Sequence, residues 1–342
     1  MHNKIRRLTI GVIASAMALT AACGGGTVGK SSTGGQQSGP TRIAMIPKFT
    51  SDPYFKAADQ GAQAAAKELG VQYTFNGPVD ADVSKQSDLV DQYVQQHYSA
   101  ITISANDATA IAPALKRAQA AGVKVSTFDS DAAPDSRQVF LNQATYTDIG
   151  QTMVDMMAKQ TGGKGNFLVV TAVLTAPNQN HWIDEMRKYI ADKYPAMSIE
   201  TVLPGNEDLA KSRQITLDYL RAHPEVNGVW AVTGIATPGV AQAVEQLGLQ
   251  GKVAVTGLGV PSLVRPFIKD GTIKEVCLWN PTDIGYAAIY MANAQVDGTL
   301  KLGTGSTLKA GRLGNLEFVS ADTILLGKPL IFNAANIDNF SF

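Results

Sequence analysis

Thr41-Arg42-Ile43-Ala44-Met45-Ile46-Pro47, the stretch from Pro53 to Leu69 closed by Gly70, and Val71-Gln72-Tyr73-Thr74-Phe75 together decide the fold class. The first and third are short apolar runs rich in β-branched and aromatic residues, as a buried strand requires. The middle stretch is Ala-rich with helical spacing, opens on a proline and stops at a glycine, the ordinary punctuation of a helix. The unit then recurs. Strands at Ala100 to Ser104, Lys124 to Phe128 and Gln138 to Leu141 alternate with helices at Val83 to Gln96 and Ala108 to Ala121. A second series starts with a helix at Tyr146 to Gln160. Strands follow at Asn166 to Thr171, Ser198 to Leu203, Val226 to Ala231, Val253 to Thr256 and Thr272 to Leu278, with helices between them. Such alternation predicts an α/β protein of two doubly wound parallel-sheet lobes, with a ligand expected where strand C-termini face a shared cleft.

Outward from that core, the N-terminus reads as an export signal. Lys4, Arg6 and Arg7 precede an apolar run of twelve residues, Leu8 to Leu19, too short and too rich in small residues for a good membrane span. It leads through Thr20-Ala21-Ala22 into Cys23, the pattern of a bacterial lipoprotein signal, in which the thiol is acylated and the cysteine becomes the new N-terminus. Residues 1–22 are thus a signal peptide and 23–40 a lipidated flexible linker. From Gly24 to Pro40 the linker is nearly all Gly, Ser, Thr and Gln, with a reach of roughly 23 Å. The second cysteine, Cys277, lies in a strand and reads as a small buried hydrophobe. Charge is balanced at 29 basic and 29 acidic residues, and removal of the signal leaves 26 against 29. Neither a basic stripe for nucleic acid nor a later membrane-spanning run is present.

The loops after the strands hold the candidate site. Lys48-Phe49-Thr50-Ser51-Asp52-Pro53-Tyr54-Phe55 follows the first strand, and two adjacent aromatics at a helix start suit the C–H face of a sugar ring. Tyr54 and Phe55 are both candidates, with no choice between them. Asn106 and Asp107 follow the third strand; Asp107 either contacts ligand or caps the next helix. Asp129 and Asp131 follow the fourth; Asp131 has the same two readings or ties down its loop, whereas Asp129 calls for a ligand. The second half offers Gln179, Thr233, Gly234, Gly259 and Trp279. Trp182 and Trp230 fall at apolar helix and strand positions and are expected in the core.

A family resemblance rests on Ile46-Pro47-Lys48, Ala105-Asn106-Asp107, Thr127 through Asp135, Leu141-Asn142-Gln143, Asn178-Gln179-Asn180, Thr256-Gly257-Leu258-Gly259 and Asn336-Ile337-Asp338. From Thr41 to Phe342 the chain resembles periplasmic sugar-binding proteins of the ribose-binding type, and among them rhamnose-binding proteins of ABC importers. The resemblance implies two lobes joined by three hinge crossovers, residues 41–143 with about 280–305 in the first and 144–279 with about 306–342 in the second. It implies ligand contacts at Asp129 and around Asp52 to Phe55 from one lobe, and at Gln179, Thr233 or Gly234, and the Gly259 and Trp279 loops from the other lobe or hinge. Autoinducer-two receptors share the scaffold, and Lys48, Asp129 and Gln179 match their pattern. Their Asp-Gln pair reads Asn178-Gln179 here, however, and their Pro-x-Ala reads Val232-Thr233-Gly234. Relative to ribose binders, Ser130 replaces an expected Arg and Gly259 an Asp. These departures point to a deoxy sugar such as rhamnose, with Trp279 offering apolar surface to a methyl group. The implied partners are the sugar and a membrane permease, with no cofactor and a monomeric state.

Other classes fit less well. Gly24 through Ser31 satisfies phosphate-loop spacing, but it lies in the linker rather than between a strand and a helix. His2, His97, His181 and His223 show no metal spacing, and no nucleophile elbow occurs. A repressor would need a helix-turn-helix before Thr41, where the signal and linker stand. A binding protein, not an enzyme, is expected.

Overall fold

The computed structural model describes residues 39–342. The signal peptide, Cys23, nearly all of the linker and the phosphate-loop-like run lie outside the described residues. The first lobe is built from β1 (Arg42–Ile46), α1 (Pro53–Leu69), β2 (Gln72–Phe75), α2 (Val83–Gln95), β3 (Ala100–Ile103), α3 (Ala112–Ala120), β4 (Lys124–Phe128) and β5 (Val139–Asn142). The second follows with α4 (Tyr146–Thr161), β6 (Lys164–Thr171), α5 (Pro177–Lys193), β7 (Ala196–Pro204), α6 (Leu209–Ala222), β8 (Val226–Ala231), α7 (Ala236–Gln246), β9 (Ala254–Gly257), α8 (Pro261–Lys269) and β10 (Glu275–Leu278). The chain ends with α9 (Pro281–Val296), β11 (Thr307–Lys309), β12 (Asn315–Glu317), β13 (Thr323–Leu325) and β14 (Leu330–Asn333).

Strand order shows one plan used twice. The first sheet runs β13-β5-β4-β3-β1-β2 and the second β7-β6-β8-β9, all parallel. Parallel bridges from Val255 to Ile273 and Leu258 to Cys277 place β10 beside β9, and β14 closes that edge antiparallel to β10. In each sheet the order reverses at one point, between β1 and β3 and between β6 and β8. Loops splay apart there and leave a crevice at the strand C-termini.

The path after α9 differs from the sequence expectation. Helix α9 returns to the first lobe and lies on α1 at backbone distance: a Cβ on Gly61 would stand 1.8 Å from the Thr282 carbonyl oxygen, and one on Gly285 1.9 Å from that of Ala58. Strands β11 and β12 pair as a hairpin against α9, and β13 joins β5. Residues 306–327, which the resemblance placed in the second lobe, therefore belong with the first, and the chain reaches the second lobe only at β14. Strands of three residues are too short to show a period, so sequence pattern gives no purchase on them.

Three segments thus cross between the lobes: 142–146, 278–281 and 325–330. The first and third run side by side, Leu326 N donating to Asn142 O at 2.8 Å and Gly327 N to Gln143 O at 3.2 Å. Helix α3 also starts later than the expected Ala108. Asp107 Oδ1 accepts from Thr109 N and Ala110 N, both at 2.9 Å, which closes a local turn before the helix begins.

Candidate functional site

The two crevices face one another and leave a small chamber of about 50 Å³ between them. Lys48, Asp52, Tyr54, Phe55 and Asp129 line it from the first lobe. Asn178, Gln179, Trp182, Glu207, Thr233 and Gly234 line it from the second, with Leu278 and Trp279 at a crossover. Val232, Leu258 and Val260 complete an apolar wall.

Each polar side chain is fixed by its element. Asp52 caps α1, accepting from Tyr54 N at 2.8 Å, so its carboxylate is held at the chamber floor. Asp129 stands at φ 61°, directly after β4, where an Asp tolerates left-handed backbone better than most residues. Its two oxygens accept separately, from Tyr54 Oη at 3.0 Å and from Ser104 Oγ at 2.7 Å. Tyr54 Oη in turn accepts from Trp279 Nε1 at 2.6 Å. Gln179 Oε1 accepts from Thr171 Oγ1 at 2.5 Å and Ala172 N at 2.7 Å, which fixes the orientation of its amide. Across the cleft, Lys48 Nζ donates to Asn178 Oδ1 at 3.1 Å. The lobes are therefore in contact through polar groups, and the chamber is shut.

Burial governs the charges. It pushes the carboxyl of Asp52 up to about 7, with Glu207 the next contributor. It raises Asp129 and Glu207 as well and lowers Lys48, whose ammonium is supported by Asp129, Glu207 and Asp52.

The structure brings Lys48, Asp52, Tyr54, Phe55, Asp129, Gln179, Thr233, Gly234 and Trp279 together at the chamber. Asn106, Asp107, Asp131 and Gly259 stand outside its lining. Asn106 Nδ2 donates to Lys48 O at 2.9 Å and thereby braces the Lys48 loop. Asp107 closes its own turn. Asp131 accepts from Thr127 Oγ1 at 2.5 Å and pairs with Arg137 at 2.7 Å, so its carboxylate is spent within the lobe. A Cβ on Gly259 would meet Val276 Cγ2 at 2.6 Å, which makes this glycine one of close packing between β9 and β10.

The sequence marks Asn178 only as a departure from the autoinducer-two pattern, places Trp182 in the core, and gives no role to Glu207. Trp230 is in the core as expected, its Nε1 donating to Met153 O at 2.9 Å. Trp182 is buried too, but it is also part of the chamber wall, 5.8 Å from the Trp279 ring. Glu207 lies in the loop after β7, outside the strand-end loops named from sequence. Its position after Pro204-Gly205-Asn206, a turn at a strand C-terminus, was the available signal.

Two lobes of repeated topology, three crossovers and a shut cleft between strand C-termini agree with a match to the periplasmic binding protein domain model over residues 43–300. The chain belongs to the periplasmic binding protein family. Solved structures show the likeness over most of the length of this binding protein. A sugar ABC transporter protein of Actinomyces odontolyticus is 38% identical, with a TM-score of 0.73, over 88% of this chain and 98% of that one. An ABC transporter solute binding protein of Clostridium phytofermentas, solved with bound L-rhamnose, is 31% identical, with a TM-score of 0.84 over the same shares. LsrB of Clostridium saccharobutylicum, solved in complex with AI-2, is 27% identical, with a TM-score of 0.83, over 88% of this chain and all of the other.

Proposed function

We propose that this binding protein is the extracytoplasmic sugar-binding component of an ABC importer. In this reading it closes on a monosaccharide, rhamnose or a similar deoxy sugar, and delivers it to the permease. The observation that carries the reading is a chamber whose lining combines hydrogen-bonding side chains from both lobes with aromatic and aliphatic ones. Lys48, Asp52 and Asp129 present polar groups from the first lobe and Gln179 and Glu207 from the second, while Phe55, Trp182, Leu258, Val260, Leu278 and Trp279 add apolar surface. A deoxyhexose carries both kinds of partner, hydroxyls for the polar groups and a methyl group with ring C–H faces for the apolar surface. The rhamnose-bound relative supports the same assignment.

Ligand contacts on both lobes favour the shut state, and the three crossovers absorb the rotation. Lipidation of Cys23, with the linker as tether, holds the protein at the outer face of the cytoplasmic membrane.

A second reading, an autoinducer-two receptor, draws on Lys48, Asp129 and Gln179 sharing one chamber. Against it, Lys48 meets the neutral amide of Asn178 instead of an anionic acceptor. A thermal-shift screen with L-rhamnose, other deoxyhexoses, pentoses and AI-2 tests both. Rhamnose at about a hundred times its dissociation constant is expected to add roughly 2.7 kcal/mol of stability. A shift with AI-2 alone favours the second reading, and no shift with any sugar overturns the first.

A further inference from the structure

Glu207 is put in place at a conformational cost. Asn206 and Glu207 stand at φ 57° and 53°, two successive non-glycine residues in the left-handed region, a strain that gathers at functional sites. The segment is pinned to the end of β6: Gly205 N donates to Thr171 O and Asn206 N to Ala172 O, both at 2.7 Å. The side chain is then held by the second lobe alone. Thr233 Oγ1 donates to its carboxylate. Gln179, whose oxygen is already taken by Thr171 and Ala172, helps to support the charged carboxylate. The residue as a whole is half-buried, yet its carboxylate belongs to the chamber.

The opposite wall presents Asp52 and Asp129. With Glu207 they make three carboxylates against one ammonium, Lys48, and no other Asp, Glu, Lys, Arg or His lines the chamber. Asp131 and Arg137 stand nearby but are paired with each other. Among the described residues no group of His, Cys, Asp or Glu is arranged to hold a metal ion, so this cluster is not a cation cage. A shut chamber with excess negative charge is satisfied by donors without negative charge of their own, which is what sugar hydroxyls are.

We propose that Glu207 is the second lobe's specificity-determining residue: it accepts a ligand hydroxyl while Asp52 and Asp129 accept others from the first lobe, and it rejects ligands that carry a carboxylate. The inference rests on the sugar-binding reading and adds the residue and the ligand charge that set its selectivity. Beyond burial, Glu207 raises the Asp52 carboxyl and Asp129 raises that of Glu207, which fits acids facing one another across the cleft.

The test is calorimetric titration of wild type and Glu207→Gln with L-rhamnose and with its acid, L-rhamnonate. Melting of the ligand-free proteins verifies that the isosteric variant is folded. Wild type is expected to bind rhamnose at least a hundredfold more tightly than rhamnonate. Glu207→Gln should weaken rhamnose at least tenfold and narrow the discrimination by a similar factor. Unchanged affinities in the variant overturn the assignment while leaving sugar binding intact. Equal binding of sugar and acid by wild type overturns it without recourse to the variant. If wild type binds none of the neutral sugars in the thermal-shift screen, the sugar reading fails and takes this inference with it.

Discussion

Lys48 and Asn178 meet across the cleft, the ammonium of one lobe donating to the side-chain carbonyl of the other at 3.1 Å. The pair does two jobs: it ties the lobes directly, and it holds the only chamber ammonium among three carboxylates. Replacing Lys48 with Met keeps the length of the side chain but removes that charge. Loss of one partner from a buried charge cluster costs about 3–5 kcal/mol. Rhamnose affinity is expected to fall by a hundredfold or more in Lys48→Met, read by calorimetry. Undiminished affinity would show that the ammonium plays no part in the shut state.

Asp129 organises the first-lobe wall through Tyr54 and Ser104, and its left-handed backbone restricts what can replace it. Asparagine tolerates that conformation, so Asp129→Asn should fold while losing the anionic acceptor. Sugar-dependent stabilisation is expected to disappear in the variant, with a ligand-free melting temperature within a few degrees of wild type. Calorimetry showing wild-type affinity would remove Asp129 from the ligand contacts.

Asp52 makes stability depend on pH in the opposite sense to an ordinary paired carboxylate. Its carboxyl is raised from 3.8 to about 7, so the folded, shut protein holds the proton more tightly than the unfolded chain. The resulting stabilisation is complete below about 3.8, and it is lost as pH rises through about 7, at up to roughly 1.4 kcal/mol per pH unit. Asp52→Asn retains a capping side chain but cannot ionise. The variant is expected to gain stability over wild type at pH 8, with the gap narrowing at pH 5.5. A parallel pH profile in the two proteins would contradict a buried, protonatable Asp52.

Gly285 lets α9 lie on α1 at backbone distance, and a methyl group there would stand 1.9 Å from the Ala58 carbonyl oxygen. Overpacking of this kind costs typically 1–3 kcal/mol. Gly285→Ala is expected to melt several degrees lower than wild type while still binding sugar, because the change sits behind the first-lobe sheet. An unchanged melting curve would mean that the two helices are free to separate.

The sequence carried the two-lobed α/β plan because strands of β-branched residues alternate with Ala-rich helices that stop at glycines such as Gly70. The final segment was not legible: β11, β12 and β13 are three residues each, and only their partners reveal the lobe they join. At the site, position after a strand singled out Lys48, Asp52, Asp129 and Gln179, but position alone does not give side-chain direction. Asp107 and Asp131 occupy comparable loop positions and spend their carboxylates on local groups. Trp182 shows the converse difficulty, since helical period marks an inward face without telling a core from a cleft wall. Glu207 reaches the chamber through two left-handed residues that no apolar pattern announces.

The most direct test of the account is calorimetric titration of the mature protein with L-rhamnose. The prediction is saturable binding of one sugar per chain, abolished in Asp129→Asn and weakened when Trp279→Ala removes the apolar wall. Absence of binding, or binding that survives both substitutions unchanged, would contradict a ligand held by the polar and apolar side chains of this cleft.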